Sequence, residues 1–138
     1  MKEERPGFRK IPHLSPFNDM VGPLYERRRE GEELCIGLQI EKKHSNSRGI
    51  CHGGVLATLA DLSLGYAMHA KGEGKTAYVT AHLSIDYAGA ARIGDWIESR
   101  VEIQRVGARL AFASCYLIVE DRRIVRASAI FARADKQK

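Results

Sequence analysis

The segment with the clearest chemical potential is "CHGGVLATLAD", residues 51–61, which places His52, Gly53 and Gly54 where a helix should begin. Helices usually begin with Ser, Thr, Asp or Asn, whose side chain accepts a hydrogen bond from a free backbone N–H. We therefore expect an uncapped start whose free amides, at the positive end of the helix dipole, favour an oxygen that gains negative charge. The alternative is that the two glycines only form a tight turn into the helix.

The second candidate is Asp61, nine residues after His52 and surrounded by Val, Leu and Ala. An unpaired carboxylate in the apolar part of a helix is costly to desolvate, so a buried acid there indicates a functional group. The alternatives are that Asp61 is partly exposed, or that it caps a neighbouring loop. The pattern by itself does not indicate whether its pKa is raised by burial or lowered by nearby donors.

Other nucleophiles and metal ligands are less favoured. Cys51 stands beside His52, but neighbours at a helix entrance need not face each other, and no third group is available to orient them. The histidines lack recognisable metal-ligand spacing, so no metal is predicted; they include His44, His52, His69 and His82. Trp96 and Tyr87 are interpreted as core or interface aromatics.

Composition predicts a single domain, since 138 residues with 44% hydrophobic content suit one core. Three scattered cysteines, no secretory segment and no apolar run of about 18–20 residues favour a soluble protein of the reducing cytoplasm, with no membrane contact. The net charge of +5 comes from dispersed basic residues without a nucleic-acid motif. Solvated surface charge is one interpretation, and a phosphorylated small ligand is the other.

The elements that position these residues follow from periodicity. Residues 1–14 read as a flexible arm, and Ser15 with Pro16 begins a short first helix interrupted near Gly22–Pro23. A half-buried strand, a polar loop and a long helix from Gly54 to about Ala70 come next. Four strands then follow, which the short turns predict to form an antiparallel meander; they are "TAYVTAHLSIDYA", "DWIESRVEIQRVG", "RLAFASCYLIVE" and "RIVRASAIFARAD". A curved sheet around one helix would bury that helix.

The motif His52-Gly53-Gly54 with Asp61, preceded by Asn46, resembles the acyl-CoA thioesterases of the hotdog-fold superfamily, specifically the phenylacetate-degradation type. The similarity runs from about residue 33 to residue 134 and includes "SIDYAGAARIGD". The resemblance implies an α+β hotdog domain over residues 15–138, with an antiparallel sheet of five to six strands wrapped around the long helix.

The resemblance also implies roles. The Gly53 amide would polarise the thioester carbonyl, and Asp61 would attack that carbonyl or activate water. Asn46 and His52 would orient the water or the thioester, and Thr80 would lie near the acid. By strict alternation, however, Thr80 shares a strand face with His82 and Asp86, so a solvent-facing polar strand is the alternative.

The spacing of Gly53 and Asp61 also predicts a second copy of the chain as a partner. Gly53 and Asp61 lie about 12 Å apart along one regular helix, which no side chain spans. One thioester can use both only across a two-fold interface, in agreement with a family of dimers and tetramers. No cofactor is expected, and acyl-CoA is the expected substrate, with Gly54 at the thioester and Arg92, Arg105 and Arg109 at the CoA phosphates. A non-catalytic acyl-CoA sensor and a hotdog hydratase or dehydratase are the alternative functions.

Overall fold

A computed structural model describes residues 5–12 and 14–134 of the chain. Its framework is a seven-stranded antiparallel sheet in the order β1-β2-β3-β5-β6-β7-β4. The strands are β1 (Arg9–Lys10), β2 (Leu24–Arg27), β3 (Cys35–Gln39), β4 (Tyr78–Tyr87), β5 (Trp96–Val106), β6 (Leu110–Val119) and β7 (Arg122–Arg133). The helices are α1 (Pro16–Val21) and α2 (Gly53–Lys71), and a 3-10 turn spans Lys42–His44. The sheet is open, and α2 packs on one of its faces.

The prediction of a long central helix and four following strands is confirmed. The helix α2 buries one stripe against the sheet, namely Leu56, Leu59, Ala60, Ser63, Leu64, Ala67 and Met68. The opposite stripe is only partly covered by the chain, and it contains Thr58, Asp61, Leu62 and Gly65. A single copy of the chain therefore does not wrap the whole circumference of this apolar helix.

The strand number exceeds the predicted five to six because two short strands lie in the N-terminal part. Ser15 caps α1 by accepting a hydrogen bond from the Asn18 N–H, as predicted, but α1 ends at Val21. Beyond Pro23, the buried Leu24 and Glu26 alternate with the half-buried Tyr25 and Arg27 and form β2, where the first helix was expected to continue. Proline cannot continue the hydrogen-bonded helix, and the alternating burial then suits a strand.

The predicted arm is attached to the sheet through its described part. Arg9 and Lys10 pair with β2, and the Phe8 ring lies edge-on to Trp96 at 5.1 Å between centroids. Trp96 in turn occupies the space where a side chain at Gly37 would stand. This cover buries the second face of β3, which the sequence had predicted to be half-buried.

The predicted meander is correct for β5, β6 and β7 and wrong for β4. The strand β4 pairs with β7, and no other strand of the described residues pairs with its second edge, which is ten residues long. Residues 88–95 carry the chain from that edge back to β5, and the Ala88 and Gly89 N–H groups donate to the Ile124 carbonyl on the way. A connection of this length exceeds a tight hairpin turn, so it can cross the sheet.

Candidate active site

One chain contains two separate groups of candidate residues at different points of α2. The first surrounds the start of the helix, where Gly53 lies beneath the Tyr87 ring at the end of β4. The second surrounds Asp61 and Thr80 beside a surface groove. We call these the amide half-site and the acid half-site. Asp61 follows Gly53 by eight positions, which correspond to about 12 Å of helix axis.

The amide half-site corrects the expectation of an uncapped helix. His52 is the N-cap, and its Nδ1 accepts a hydrogen bond of 2.9 Å from the Gly54 N–H. Because Nδ1 is the acceptor, a neutral His52 carries its proton on Nε2 and presents it outward. The Gly54 amide is thus occupied within the chain. Among the residues that the structure describes, no acceptor takes the Gly53 N–H.

Tyr87 holds the residue that carries this free amide. Its hydroxyl donates to the Gly53 carbonyl at 2.9 Å, and its ring lies 3.5 Å from the position of a Cβ on Gly53. About half of Tyr87 is exposed. From the sequence, Tyr87 is interpreted only as a core or interface aromatic. The sequence signal for this contact is that Tyr87 lies on the same inward face of β4 as Leu83 and Ile85, at every second position.

Asn46 lies in the loop that leads into the amide half-site. Its Oδ1 accepts from the Arg48 and Ile50 N–H groups at 2.8 and 3.2 Å, which closes a local turn. An isolated bridge between Ser45 and Cys51 fastens the base of the same loop. The Asn46 amide nitrogen has no acceptor among the described residues, so it remains a donor for a molecule outside the chain.

The acid half-site is held together by a bond between two elements. The Thr80 hydroxyl donates to Asp61 Oδ1 at 2.7 Å, and Oδ2 has no partner in the described part of the chain. Asp61 is half-buried rather than enclosed in apolar surroundings, because its stripe of α2 is open in the single chain. The carboxylate therefore has one oxygen that is held and one that is available.

A β-bulge brings Thr80 to this position. Thr80 pairs with Phe131 and His82 pairs with Ile130, so Ala81 is an extra residue in β4. The extra residue reverses the alternation: Thr80 points towards α2, whereas Ser84 and Asp86 contact Ser128 and Arg126 on the outer face. The expectation that Thr80 shares a face with His82 and Asp86 is wrong for this reason.

The groove beside Asp61 has a volume of about 470 Å³. Its walls come from α1, α2, the start of β4 and the end of β7, and they include Asn18, Leu62, Gly65, Tyr66, His69, Tyr78 and Phe131. The amide half-site residues do not line it. Sequence reasoning did not associate Asn18, Gly65 or Tyr66 with the site, because the walls meet only after the chain has folded.

The three arginines predicted to contact phosphates do not converge within one chain. Arg92 lies in the β4–β5 connection beside Ile50, whereas Arg105 and Arg109 flank the β5–β6 turn at the other end of β5. The eleven residues of β5 separate these ends by about 33 Å. Arg109 lines a cleft of about 640 Å³ together with Lys75 and Arg133. Arg92, Arg105 and Arg109 are exposed and form no ion pair with the carboxylates of the described residues.

Neither a thiol nucleophile nor a metal cluster is favoured by the geometry. Cys51 is buried, and burial raises the pKa of its thiol to about 11, which keeps it protonated at neutral pH. His44 is also buried; its Nδ1 accepts from the Glu41 N–H, and its Nε2 contacts the Val21 carbonyl. Within residues 5–12 and 14–134, no group of three metal-ligating side chains is found. Nor does any helix in these ranges have the length and apolar character needed to cross a bilayer.

Comparison with known proteins identifies the family of the chain. The family model of the thioesterase superfamily matches residues 48–125, which contain the helix start, Asp61 and Thr80. The chain belongs to this superfamily. The Pseudomonas aeruginosa protein PA0474, which is named an esterase, is 41% identical over 91% of this chain and 93% of its own length. Acyl-coenzyme A thioesterase 13 of Mus musculus is 35% identical over 60% of this chain, which spans 59% of that protein.

Solved structures give the same fold. Thioesterase superfamily member 2 of zebra fish superposes with a TM-score of 0.77 at 25% identity, covering 88% of each chain. A mutant of the phenylacetic acid degradation protein PaaI from Thermus thermophilus gives 0.77 at 22% identity, covering 87% of this chain and 100% of that one. The predicted hotdog fold is confirmed, and the protein is a thioesterase of this fold.

Proposed function

We propose that the chain hydrolyses acyl-CoA thioesters to a carboxylic acid and CoA at a site shared by two copies of the chain. The Gly53 N–H of one protomer polarises the thioester carbonyl, and the partner's Asp61 acts on the same carbonyl carbon. The observation that carries this proposal is the free Gly53 amide, which lies too far from Asp61 of its own chain to serve the same carbon.

Two features of the chain support a two-fold partner. The stripe of α2 that contains Thr58 and Asp61 is open in the described part of the chain, where β4 also offers ten residues of unpaired strand edge. A second copy, related by a two-fold axis, would cover both with the same surface, as isologous dimers do. Antiparallel α2 helices would bring each Gly53 beside the partner's Asp61. We also propose that two such dimers associate into a dimer of dimers.

The chemistry follows from donors and acceptors that are already fixed. The thioester oxygen gains negative charge in the tetrahedral transition state, and an aimed amide that stabilises this charge contributes about 10²–10³ in rate. Asp61 keeps Oδ2 free while Thr80 holds Oδ1, so Oδ2 either attacks the carbon or takes a proton from the water that attacks it. In both routes the C–S bond then breaks and CoA leaves as the thiol. In the first route, water afterwards hydrolyses the anhydride formed with Asp61 and releases the acid. Asn46 Nδ2 and His52 Nε2 are the outward donors that orient the water or the thioester. No cofactor takes part in this scheme.

The CoA moiety carries phosphates, for which the exposed arginines supply charge. Arg105 and Arg109 lie at one end of a protomer, and Arg92 lies at the other end. In the proposed two-fold dimer, opposite ends of the two protomers lie side by side, so Arg105 and Arg109 are on the same side as the partner's Arg92. These guanidinium groups, which lack carboxylate partners in the described chain, would bind phosphates from both protomers. We place the activity in the cytoplasm, where CoA esters and reduced cysteines occur together.

The test is thiol release from a panel of acyl-CoAs by the wild type, Asp61→Asn and Asp86→Asn. Asp86 is a matched control, since it is an exposed aspartate of β4 that pairs with Arg126 on the outer face. We expect Asp61→Asn to lose about 10²-fold or more in kcat while it still binds a non-hydrolysable acyl-CoA. Asp86→Asn should keep the wild-type rate.

Three outcomes contradict the proposal or part of it. Binding of acyl-CoA without thiol release by the wild type would favour the sensor. Hydration of an enoyl-CoA without thiol release would favour the hydratase. An Asp61→Asn variant that retains more than about a tenth of the wild-type rate would remove the carboxylate from the mechanism.

A further inference from the structure

Gly65 occupies a helical position that the packing of its own chain does not require to be glycine. It lies in the interior of α2, four residues after Asp61 and therefore on the same face. A Cβ at this position would meet no atom of the described residues within 4 Å. Glycine destabilises the interior of a helix relative to alanine, because it loses more backbone freedom on folding. The space above Gly65 is therefore open to an occupant from outside the chain.

Gly37, in contrast, is a position where packing within the chain requires glycine. A side chain there would collide with the ring of Trp96, so packing within the chain excludes it. No such neighbour faces Gly65, and its backbone is not in the left-handed region that favours glycine. The two candidate occupants of its open space are a substrate group and the partner subunit.

The lining of the groove favours the substrate group. Gly65 lies in the wall of the same groove as Asp61 and Thr80, the residues at the acid half-site. Apolar walls continue from there: Leu62 precedes Gly65 on α2, and the rings of Tyr78 and Phe131 meet edge to face at 6.4 Å between centroids. An acyl group attached to a carbon near Asp61 would bury its apolar surface along these walls.

A hydrogen bond between α1 and α2 lies in the groove next to Gly65. Asn18 Nδ2 donates to the Tyr66 hydroxyl at 3.3 Å, and both residues line the groove. His69, also in the lining, is two helical turns or about 12 Å from Asp61. Tyr66 follows Gly65 directly on α2, so the space over Gly65 adjoins both the acid half-site and this polar bridge.

We propose that Gly65 is a specificity-determining residue that admits medium-chain acyl groups, such as octanoyl, into this groove. The absent side chain leaves room for the part of the acyl chain that lies one helical turn beyond the carbonyl, and the Asn18–Tyr66 bridge sets the upper limit of length. This inference rests on the proposed thioesterase function.

The test compares octanoyl-CoA and acetyl-CoA with the wild type, Gly65→Ala and Gly65→Leu. The wild type should show the higher kcat/KM for octanoyl-CoA. In Gly65→Leu this value should fall about tenfold or more, with Gly65→Ala in between, because a hydrophobic pocket discriminates by such factors per methylene group. The kcat/KM for acetyl-CoA, whose methyl group does not reach Gly65, should change less than about threefold. Alanine improves the helix, so Gly65→Ala should fold and melt no lower than the wild type.

The result that overturns the inference is an equal loss for both substrates, accompanied by a weaker dimer in analytical ultracentrifugation. That result would make the partner subunit the occupant of the space. Unchanged kinetics for both substrates would equally remove the role of Gly65. In each case acyl-CoA hydrolysis by the wild type would still support the thioesterase proposal, whereas a wild type that hydrolyses neither substrate would contradict the thioesterase proposal itself.

A second variant tests the length limit independently. Asn18→Ala removes the bridge to Tyr66 without touching α2, and Asp19→Ala is its matched control on the same helix, outside the groove. Asn18→Ala should raise the kcat/KM ratio of dodecanoyl-CoA to octanoyl-CoA by about threefold or more, while Asp19→Ala leaves that ratio unchanged. Identical ratios in the two variants would overturn the role of the bridge.

Discussion

The Thr80 hydroxyl donates a hydrogen bond of 2.7 Å to Asp61, which joins the middle of the central helix to the edge strand. This bond occupies one carboxylate oxygen and leaves the other free. Since Thr80 stands next to a β-bulge, its side chain faces the helix instead of the outer surface. The edge strand therefore positions the acid, although the acid itself belongs to the helix.

Replacing Thr80 tests this positioning role. Thr80→Val keeps the shape of the side chain but removes the donor, whereas Thr80→Ser keeps the donor. A hydrogen bond to a charged group contributes about 1.5–3 kcal/mol, so Thr80→Val should lower kcat by roughly 10- to 100-fold with little change in KM. Thr80→Ser should retain most of the activity. Equal rates for the two variants in a thiol-release assay would show that the bond does not position Asp61.

Mixed dimers test whether the site is shared. Gly53→Val places a side chain in front of the amide and against the Tyr87 ring, and Asp61→Asn removes the acid. Each homodimer should be inactive. After co-refolding of equal amounts, half of the dimers contain one intact site, so activity should recover to about a quarter of the wild type.

The control for the mixed dimers is a mass tag that verifies subunit exchange. If exchange is complete and activity stays absent, Gly53 and Asp61 do not serve the same thioester. Recovery well above a quarter would also contradict two identical shared sites. A mixture of Gly53→Val with wild type serves as the reference, because it measures the activity of dimers in which both chains keep Asp61 and only one keeps Gly53.

The proposed phosphate contacts predict a dependence on salt. KM for acyl-CoA should rise with ionic strength, because added ions screen exposed charges, whereas KM for an acyl-pantetheine without the nucleotide should stay nearly constant. Arg109→Gln should raise KM for acyl-CoA severalfold and leave acyl-pantetheine unaffected. Arg122→Gln, at the exposed β6–β7 turn, is the matched control. Equal salt responses for both substrates would exclude the phosphate contacts.

Cys51 offers a test against a thiol mechanism. Burial raises the pKa of this thiol to about 11, so the thiolate forms only as the pH approaches that value. Cys51→Ala should therefore keep most of the activity near pH 7, and iodoacetamide should modify Cys51 of the folded protein slowly at pH 8 and faster towards pH 11. Loss of thiol release in Cys51→Ala, with the fold intact by circular dichroism, would point to the thiol instead of Asp61.

Several features could be predicted from the sequence because they depend on local patterns. The Ser15–Pro16 start of α1, the extent of α2 and the last four strands follow from capping residues and from periods of 3.6 and 2. The separation of eight positions between Gly53 and Asp61 also indicated that the two cannot reach one thioester from the same helix. The resemblance supplied the fold and the class of enzyme, which the comparisons confirm.

Other features depended on contacts between distant parts of the chain. The cap on α2 comes from His52, whose residue type is not a usual cap, and the orientation of Gly53 comes from Tyr87 on another element. The strand β4 lies beside β7 because residues 88–95 cross the sheet, which no local pattern encodes.

Thr80 shows the difference most clearly. Strict alternation along β4 assigns it to the face of His82 and Asp86, and the sequence by itself determined only that it lies near them in a strand. One extra residue at the bulge reverses the face, and the choice is made by pairing with β7 and by the bond to Asp61. Because a single inserted residue changes the direction of every side chain on one side of it, only the tertiary structure could decide which polar residue of β4 meets the acid.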